Sequence, residues 1–186
     1  KTFENSNVQE EFPSLFHIGA MDWQPNIEGI NWFLNEVWDK VRLKHPGLKL
    51  YLAGRNMKKN EWKQLNKPNV IIAGEVEDAQ TFIRSKGIMI VPLRSGGGMR
   101  VKIIEGMSLG KTIVTTKIGA EGIDCENNKH CIIATTAAEF AEAISKCVTD
   151  KQFYTKTGKN ARQLIKEQYN NANICNNLTV FYKTLL

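Results

Sequence analysis

The stretch from Gly87 to Thr116 leaves the backbone few choices. Ile88, Met89, Ile90 and Val91 form an apolar run too short for a helix and bounded by Gly87 and Pro92, so it reads as a buried strand. Gly96, Gly97 and Gly98 follow as a turn that can take positive φ and has no Cβ to hold a ligand away. A helix opening at Met99 and Arg100 would aim unpaired N–H groups back at that turn, a seat for an anion. Arg100 and Lys102 add positive charge there, and Glu105 follows one turn later. Gly110-Lys111 ends the helix, and Thr112 to Thr116 reads as the next strand. Strand, glycine turn, helix and strand together point to an α/β sheet that holds a phosphate-bearing ligand.

Two familiar phosphate motifs do not fit. Gly106-Met-Ser-Leu-Gly-Lys-Thr112 has three residues between its glycines where a P-loop has four, and it joins a helix to a strand rather than a strand to a helix. The turn at Gly96 to Gly98 lacks the third glycine of the dinucleotide fingerprint, because Val101 stands at that position.

A chain of 186 residues can bury a proper core, and 42% apolar with 24% charged residues is ordinary for a globular domain. The net charge of +6 fits an anionic ligand, but the basic residues are scattered and no Lys/Arg run exceeds two, so a nucleic-acid groove is not indicated. Cys125, Cys131, Cys147 and Cys175 show neither CxxC nor zinc spacing, and His17, His45 and His130 are the only histidines. The expectation is free thiols, no metal site, no cofactor and a cytoplasmic location. No apolar run reaches membrane-span length and no signal peptide opens the chain. With no initiator Met at Lys1, the expectation is a trimmed chain or a piece of a longer one.

Taken in order, residues 1–13 are polar and read as a lead-in, residues 14–170 as one domain, and residues 171–186 as a C-terminal helix. Ser14 to Gly19 is the first strand. Ala20 to Asn26 is a loop. The helix after it, to about Lys44, places Ile30, Phe33, Leu34, Val37, Trp38 and Val41 on one face, and His45-Pro-Gly47 stops it. Leu48 to Gly54 and Val70 to Ala73 are strands, with a short helix at roughly Lys58 to Leu65 between them. A helix from about Asp78 to Ser85 leads to the Gly87 strand. Beyond Thr116, Cys131 to Ala134 is a sixth strand. Thr136-Ala-Ala-Glu139 is a capping box, and Thr149-Asp-Lys-Gln152 reads as a second. Asn170-Asn-Ala-Asn173 breaks the helix behind it, and a last helix starts at Ile174.

Strands alternating with helices in this way predict a Rossmann-like parallel sheet of about six strands covered on both faces. Right-handed crossovers would gather the loops 19–26, 54–56, 74–77, 94–100 and 119–124 at one edge, which is the binding edge of such a sheet.

The run from Gly96 to Thr116, followed by Gly119-Ala-Glu-Gly122, resembles the C-terminal half of retaining GT-B glycosyltransferases of the group 1 (family 4) type. His17 to Asn26, Tyr51-Leu-Ala-Gly54 and Val70-Ile-Ile-Ala-Gly74 fit the first three strands of the same half. The resemblance implies a nucleotide-sugar-binding domain, with UDP or GDP donors, polysaccharide biosynthesis and an acceptor held by an N-terminal domain of the same full-length protein. It is compatible with peripheral membrane association of that protein. Glu105 matches the second glutamate of the family's Glu-x7-Glu motif, which holds the ribose. Arg100 and Lys102, with the backbone of Gly97, Gly98 and Met99, would face the diphosphate. Gly19, Gly54, Arg55, Gly119, Glu121 and Gly122 would form the nucleotide and sugar loops. The chain departs from the pattern where Gly97 replaces the first glutamate, and where Met21-Asp-Trp-Gln24 replaces the basic residues that many members carry after the first strand.

Plainer readings compete. Lys102 stands three residues before Glu105, so the two could pair on the helix surface. Arg55 could be a solvated loop residue, Trp23 could pack over its loop rather than stack on a base, and His17 could be a satisfied core histidine. The competing function is a non-catalytic nucleotide or phospho-ligand module of the same fold.

Overall fold

The computed structural model describes residues 8–57, 62 and 67–184. Its strands are β1 Glu11–Ile18, β2 Leu50–Ala53, β3 Val70–Gly74, β4 Lys86–Val91, β5 Ile113–Thr115 and β6 Ile132–Ile133. They form one sheet in the order β3-β2-β1-β4-β5-β6, with every neighbouring pair parallel. The chain reverses its direction of travel across the sheet between β1 and β4, so the crevice beyond the carboxyl ends of those two strands is the site the topology favours for a ligand.

The helices are α1 Gln24–Trp32, α2 Trp38–Lys44, α3 Ala79–Ser85, α4 Val101–Ser108, α5 Ala137–Thr149, α6 Lys151–Gln168 and α7 Asn171–Lys183. One core lies between the sheet residues Leu15, Leu50, Leu52, Ile88, Ile90 and Val114 and the helices α1, α2 and α5. The other sets Phe16, Met89, Val91 and Ile113 against Ile83 of α3, Ile103 and Met107 of α4, and Ala161 and Ile165 of α6. The alternation of residues along β1 and β4 between the two cores is the period of two expected of a strand.

The structure differs from the sequence reading in several places. The helix between β1 and β2 is interrupted by a π turn, Phe33–Val37, which joins α1 to α2. The wider turn accompanies full burial of Phe33, Leu34, Val37 and Trp38. The strand β1 begins at Glu11, inside the segment read as lead-in. Glu11 is tied there by Lys86 (2.8 Å), Lys49 (3.1 Å) and the Tyr51 hydroxyl (2.7 Å).

The capping box at Thr136 is present, with Glu139 N–H donating to Thr136 Oγ1 (3.2 Å). The second box is not. Thr149 stays inside α5, its hydroxyl donating to the Ser145 carbonyl (2.9 Å), and Asp150 caps α6 by accepting from Phe153 N–H (2.8 Å). The asparagine run ends α6 but also starts α7, where Asn170 Oδ1 accepts from Asn173 N–H (2.8 Å), so that helix opens at Asn171 rather than Ile174. The short helix read at Lys58 to Leu65 lies outside the described residues apart from Trp62, which is buried in the first core.

Candidate functional site

The loops after β1 and β2 are pressed together at the binding edge. Gly19 N–H donates to Ala53 O (3.1 Å), Gly54 N–H to Gly74 O (2.9 Å), and Met21 N–H to Arg55 O (2.8 Å). A Cβ on Gly54 would overlap the Gly19 carbonyl oxygen, so close backbone approach is what requires glycine there. Arg55 is itself exposed, and its described contribution is that carbonyl.

On the other side of the crevice the chain leaves β4 through Pro92 and reaches the glycine turn. Gly96 and Gly98 take φ values of 97° and 84°, which favour glycine, whereas a Cβ on Gly97 would meet nothing within 4 Å. Arg100 occupies the cap position of α4 without closing it by a side-chain bond. Ile103 N–H donates to the Arg100 carbonyl (2.8 Å), and the N–H groups of Val101 and Lys102 ahead of it have no partner among the described residues.

Arg100 and Lys102 both turn inward. The Arg100 side chain is 6% exposed, donates from Nη1 to the Gly97 carbonyl (2.5 Å) and lies 5.3 Å from the Trp23 ring. Its Nε and Nη2 are buried with no partner among the described residues. Lys102 donates from Nζ to Asn26 Oδ1 (2.6 Å), and Asn26 in turn donates from Nδ2 to the Ala20 carbonyl (2.7 Å). A Cβ on Gly19 would stand 2.7 Å from Lys102 Nζ, which places the ammonium against the loop after β1. The surface pair with Glu105 does not form, because the Lys102 side chain reaches across the crevice instead. Among the described residues neither cation has a carboxylate partner.

The electrostatics follow from that geometry. Burial, and then the positive charge of Arg100, bring the Lys102 ammonium down to about 7. His17, on β1 beneath the same loop, is brought down to about 3 by burial and by the charge of Lys102, and stays neutral. Its Nδ1 lies 3.0 Å from the Ile90 carbonyl, so Nδ1 carries the proton and Nε2 keeps a buried lone pair without a partner. His17 is a core histidine, as read, but satisfied on one nitrogen only.

The glycine turn also borders a cleft of about 530 Å³, lined by Gly96, Lys117, Ile118, Ala120, Glu121, Ile123, Cys125 and Ile133. The loop behind β5 is held by Thr115 Oγ1 donating to Val91 O (2.9 Å) and by Gly119 N–H donating to Thr116 Oγ1 (3.0 Å). A Cβ on Gly119 would overlap Thr115 Oγ1. Gly122, at φ 76°, brings the loop to 3.5 Å from Met99 Cα, measured from where its own Cβ would be. Glu121 is exposed on the cleft wall, and Glu105 is half-buried on α4.

The structure therefore brings Gly19, Gly97, Arg100 and Lys102 together at the β1/β4 crevice, and sets Glu121 in the adjoining cleft. Sequence reasoning missed Asn26 as a site residue and read it only as the end of the loop after the first strand. Its role rests on a contact with Lys102 across 76 positions of sequence, and no local pattern signals that. Among the described residues no three His, Cys, Asp or Glu side chains lie together as a metal-ion cluster, and no helix is long and apolar enough to cross a membrane.

Comparison with known proteins bears on the fold and the family. The family described as glycosyl transferases group 1 matches residues 12–150. An uncharacterized 44.6 kDa protein of the cps region of Klebsiella pneumoniae is 26% identical over 170 residues, covering 87% of this chain and 44% of that protein. A TarM variant from S. aureus, solved with fondaparinux, alpha-GlcNAc-glycerol and UDP, superposes with a TM-score of 0.77 at 19% identity, over 95% of this chain and 36% of that one. Anabaena HepE in complex with UDP superposes at 0.75 with 16% identity, over 92% of this chain and 48% of its own. The C-terminal domain of a group 1 family glycosyl transferase (LpcC) from Francisella tularensis superposes at 0.70 with 14% identity, and there the coverage is 88% and 89%. The chain thus spans less than half of the Klebsiella protein, TarM and HepE, but nearly the whole of an isolated C-terminal domain. With three quarters of its length inside the family match and a six-stranded GT-B-type sheet beneath it, the chain belongs to the group 1 glycosyl transferases.

Proposed function

We propose that this chain is the donor-binding domain of a retaining glycosyltransferase and holds the diphosphate of a nucleotide sugar at the β1/β4 crevice. The observation that carries the reading is the pair of inward cations. Arg100 and Lys102 stand at the mouth of α4 with no carboxylate partner among the described residues, and two guanidinium nitrogens are buried and unused. Buried cations are costly unless something negative meets them, and a diphosphate supplies that charge. TarM and HepE were solved with UDP, which makes a uridine nucleotide the first ligand to try.

In this reading Arg100 Nε and Nη2, Lys102 Nζ and the open N–H groups of the α4 first turn bind the diphosphate oxygens. Negative charge builds on those oxygens as the bond from the sugar's anomeric carbon to the diphosphate breaks, so fixed donors there favour the transition state over the ground state. The half-buried Glu105 carboxylate would accept hydrogen bonds from the ribose hydroxyls. The cleft lined by Ile118, Glu121 and Ile133 adjoins the glycine turn and offers room for a further part of the donor. The acceptor would be held by a further domain of the full-length protein, since the larger relatives extend well beyond the region matched here.

Calorimetry with UDP, GDP, ADP and their sugars tests the reading. One nucleotide diphosphate should bind, and Arg100→Ala and Glu105→Ala should each weaken it by about 1–3 kcal/mol. Unchanged affinity in both variants would refute the site. Gly97 in place of the motif's first glutamate favours a second reading, a nucleotide-binding module without transfer. Sugar transfer by the full-length protein would rule that out.

A further inference from the structure

We propose that Cys125 and Cys131 are a redox-active dithiol in the cleft wall, which closes to a disulfide by exchange with a small-molecule disulfide such as oxidised glutathione. The four cysteines have different settings. Cys147 is buried within the first core, and burial pushes its thiol up to about 12; Cys175 is exposed on α7. Cys125 and Cys131 instead face one another, with the Cys131 thiol donating to Cys125 Sγ across 3.2 Å.

The loop between them is fixed by its own backbone. Asn128 N–H donates to the Cys131 carbonyl (2.8 Å), Ile133 N–H donates to Asn127 Oδ1 (2.8 Å), and Asn127 bridges Cys131 in parallel fashion. Cys125 is half-buried and opens onto the cleft beside Ile123 and Ile133, while Cys131 is fully buried behind it. A disulfide requires the sulfurs to close to about 2.05 Å, a movement of roughly an ångström that a surface loop can supply.

The asymmetry of the pair assigns the roles. The hydrogen bond from Cys131 lowers the proton affinity of Cys125, whereas that same bond and burial raise that of Cys131. Cys125 therefore supplies the thiolate that attacks. Its sulfur displaces one glutathione thiolate and forms a mixed disulfide. Cys131 then gives its proton to solvent and attacks Cys125 Sγ, and the second glutathione leaves as thiolate and is protonated. Two protein thiols are oxidised by two electrons, and one glutathione disulfide is reduced to two thiols. Closure pulls on Ile123 and Cys125 together, because Cys125 N–H is bonded to the Ile123 carbonyl (2.8 Å), so the wall of the cleft shifts with the redox state.

The test uses the full chain, reduced, then incubated with oxidised glutathione and mapped by peptide mass spectrometry. The expected product is a peptide linking Cys125 to Cys131, lighter by two hydrogens, with Cys147 unmodified. Cys131→Ser should instead accumulate the mixed disulfide of Cys125 with glutathione, and Cys125→Ser should leave Cys131 unreacted. Phenylarsine oxide, which binds paired thiols, should add once to the unaltered chain and to neither variant. The proposal is overturned if Cys125 and Cys131 both remain free thiols in a sample whose exposed Cys175 is fully glutathionylated. It is also overturned if Cys131 reacts equally well without Cys125.

Discussion

Lys102 gives the sharpest test of how the crevice works, because its proton should be counted in the binding of a diphosphate. The side chain faces the Arg100 guanidinium, the neutral His17 and the amide of Asn26. Below about pH 7 the free site already holds the Lys102 proton. Above it Lys102 in the empty site is neutral, and a diphosphate that requires the ammonium must bring a proton in from solvent. Each pH unit beyond that point then costs about 1.4 kcal/mol, a tenfold weakening, until the pKa of the occupied site is reached. A nucleotide sugar such as UDP-glucose is the suitable ligand, since its diphosphate is esterified at both ends and keeps both of its negative charges across the range.

Calorimetry from pH 6 to about pH 9 should show affinity flat at first and then falling tenfold per unit, with proton uptake visible as a dependence of the heat on the buffer. Lys102→Arg stays protonated throughout and should flatten the curve. Cys125→Ser, which removes the cleft thiol whose proton affinity the hydrogen bond from Cys131 lowers, should leave the slope in place. A flat curve for the unaltered chain would refute the argument that Lys102 meets the diphosphate as a partly discharged, buried ammonium.

Two further outcomes concern the frame around the site. Gly54→Ala puts a Cβ into the Gly19 carbonyl oxygen, so thermal or urea unfolding should show a loss of about 2–3 kcal/mol or more, with the loops after β1 and β2 forced apart. At Glu11, burial works against ionisation, but hydrogen bonds from Lys86, Tyr51 and Lys49 outweigh it and hold the carboxyl at about 2. The folded value lies below the unfolded one of 4.5, so this stabilisation is full above 4.5 and is lost as pH falls through about 2. Glu11→Gln should cost about 1 kcal/mol at neutral pH and remove that acid slope; an unchanged slope would mean the cluster is solvated in water.

The sheet was legible because its signals are local. Short apolar runs closed by glycine or proline marked the first four strands, and β5 and β6 read as short apolar runs without that punctuation. The period of the helix carrying Ile30, Phe33 and Trp38 marked its buried face. The errors fell where one local device could serve two ends. Thr149 and Asp150 are both good caps, and the choice went to Asp150 because the Thr149 hydroxyl was already bonded back to Ser145. The π turn at Phe33–Val37 had no signal, since it depends on how four bulky side chains share one core.

The site divides along the same line. The glycine turn and its two cations were visible as a string of letters, but the direction in which Lys102 points was not. On the helix alone a pairing with Glu105 three residues on was a fair expectation. What decides against it is the loop after β1, where the family's basic residues are replaced by Met21-Asp-Trp-Gln24 and where Gly19 and Asn26 leave space and an acceptor for an ammonium arriving from β4's side. An ammonium carried on α4 thus lies against the loop after β1, which has no basic residue of its own between Gly19 and Asn26. That placement depends on a contact between β1 and β4 that only the folded sheet creates, so neither rim, read separately, contains it. Gly97 fits the same logic. It has an unstrained backbone and open space around its missing Cβ, so no steric demand keeps a side chain out. The fold would accept the glutamate that the Glu-x7-Glu pattern places there. The packing and backbone of the turn therefore do not account for the glycine at this position.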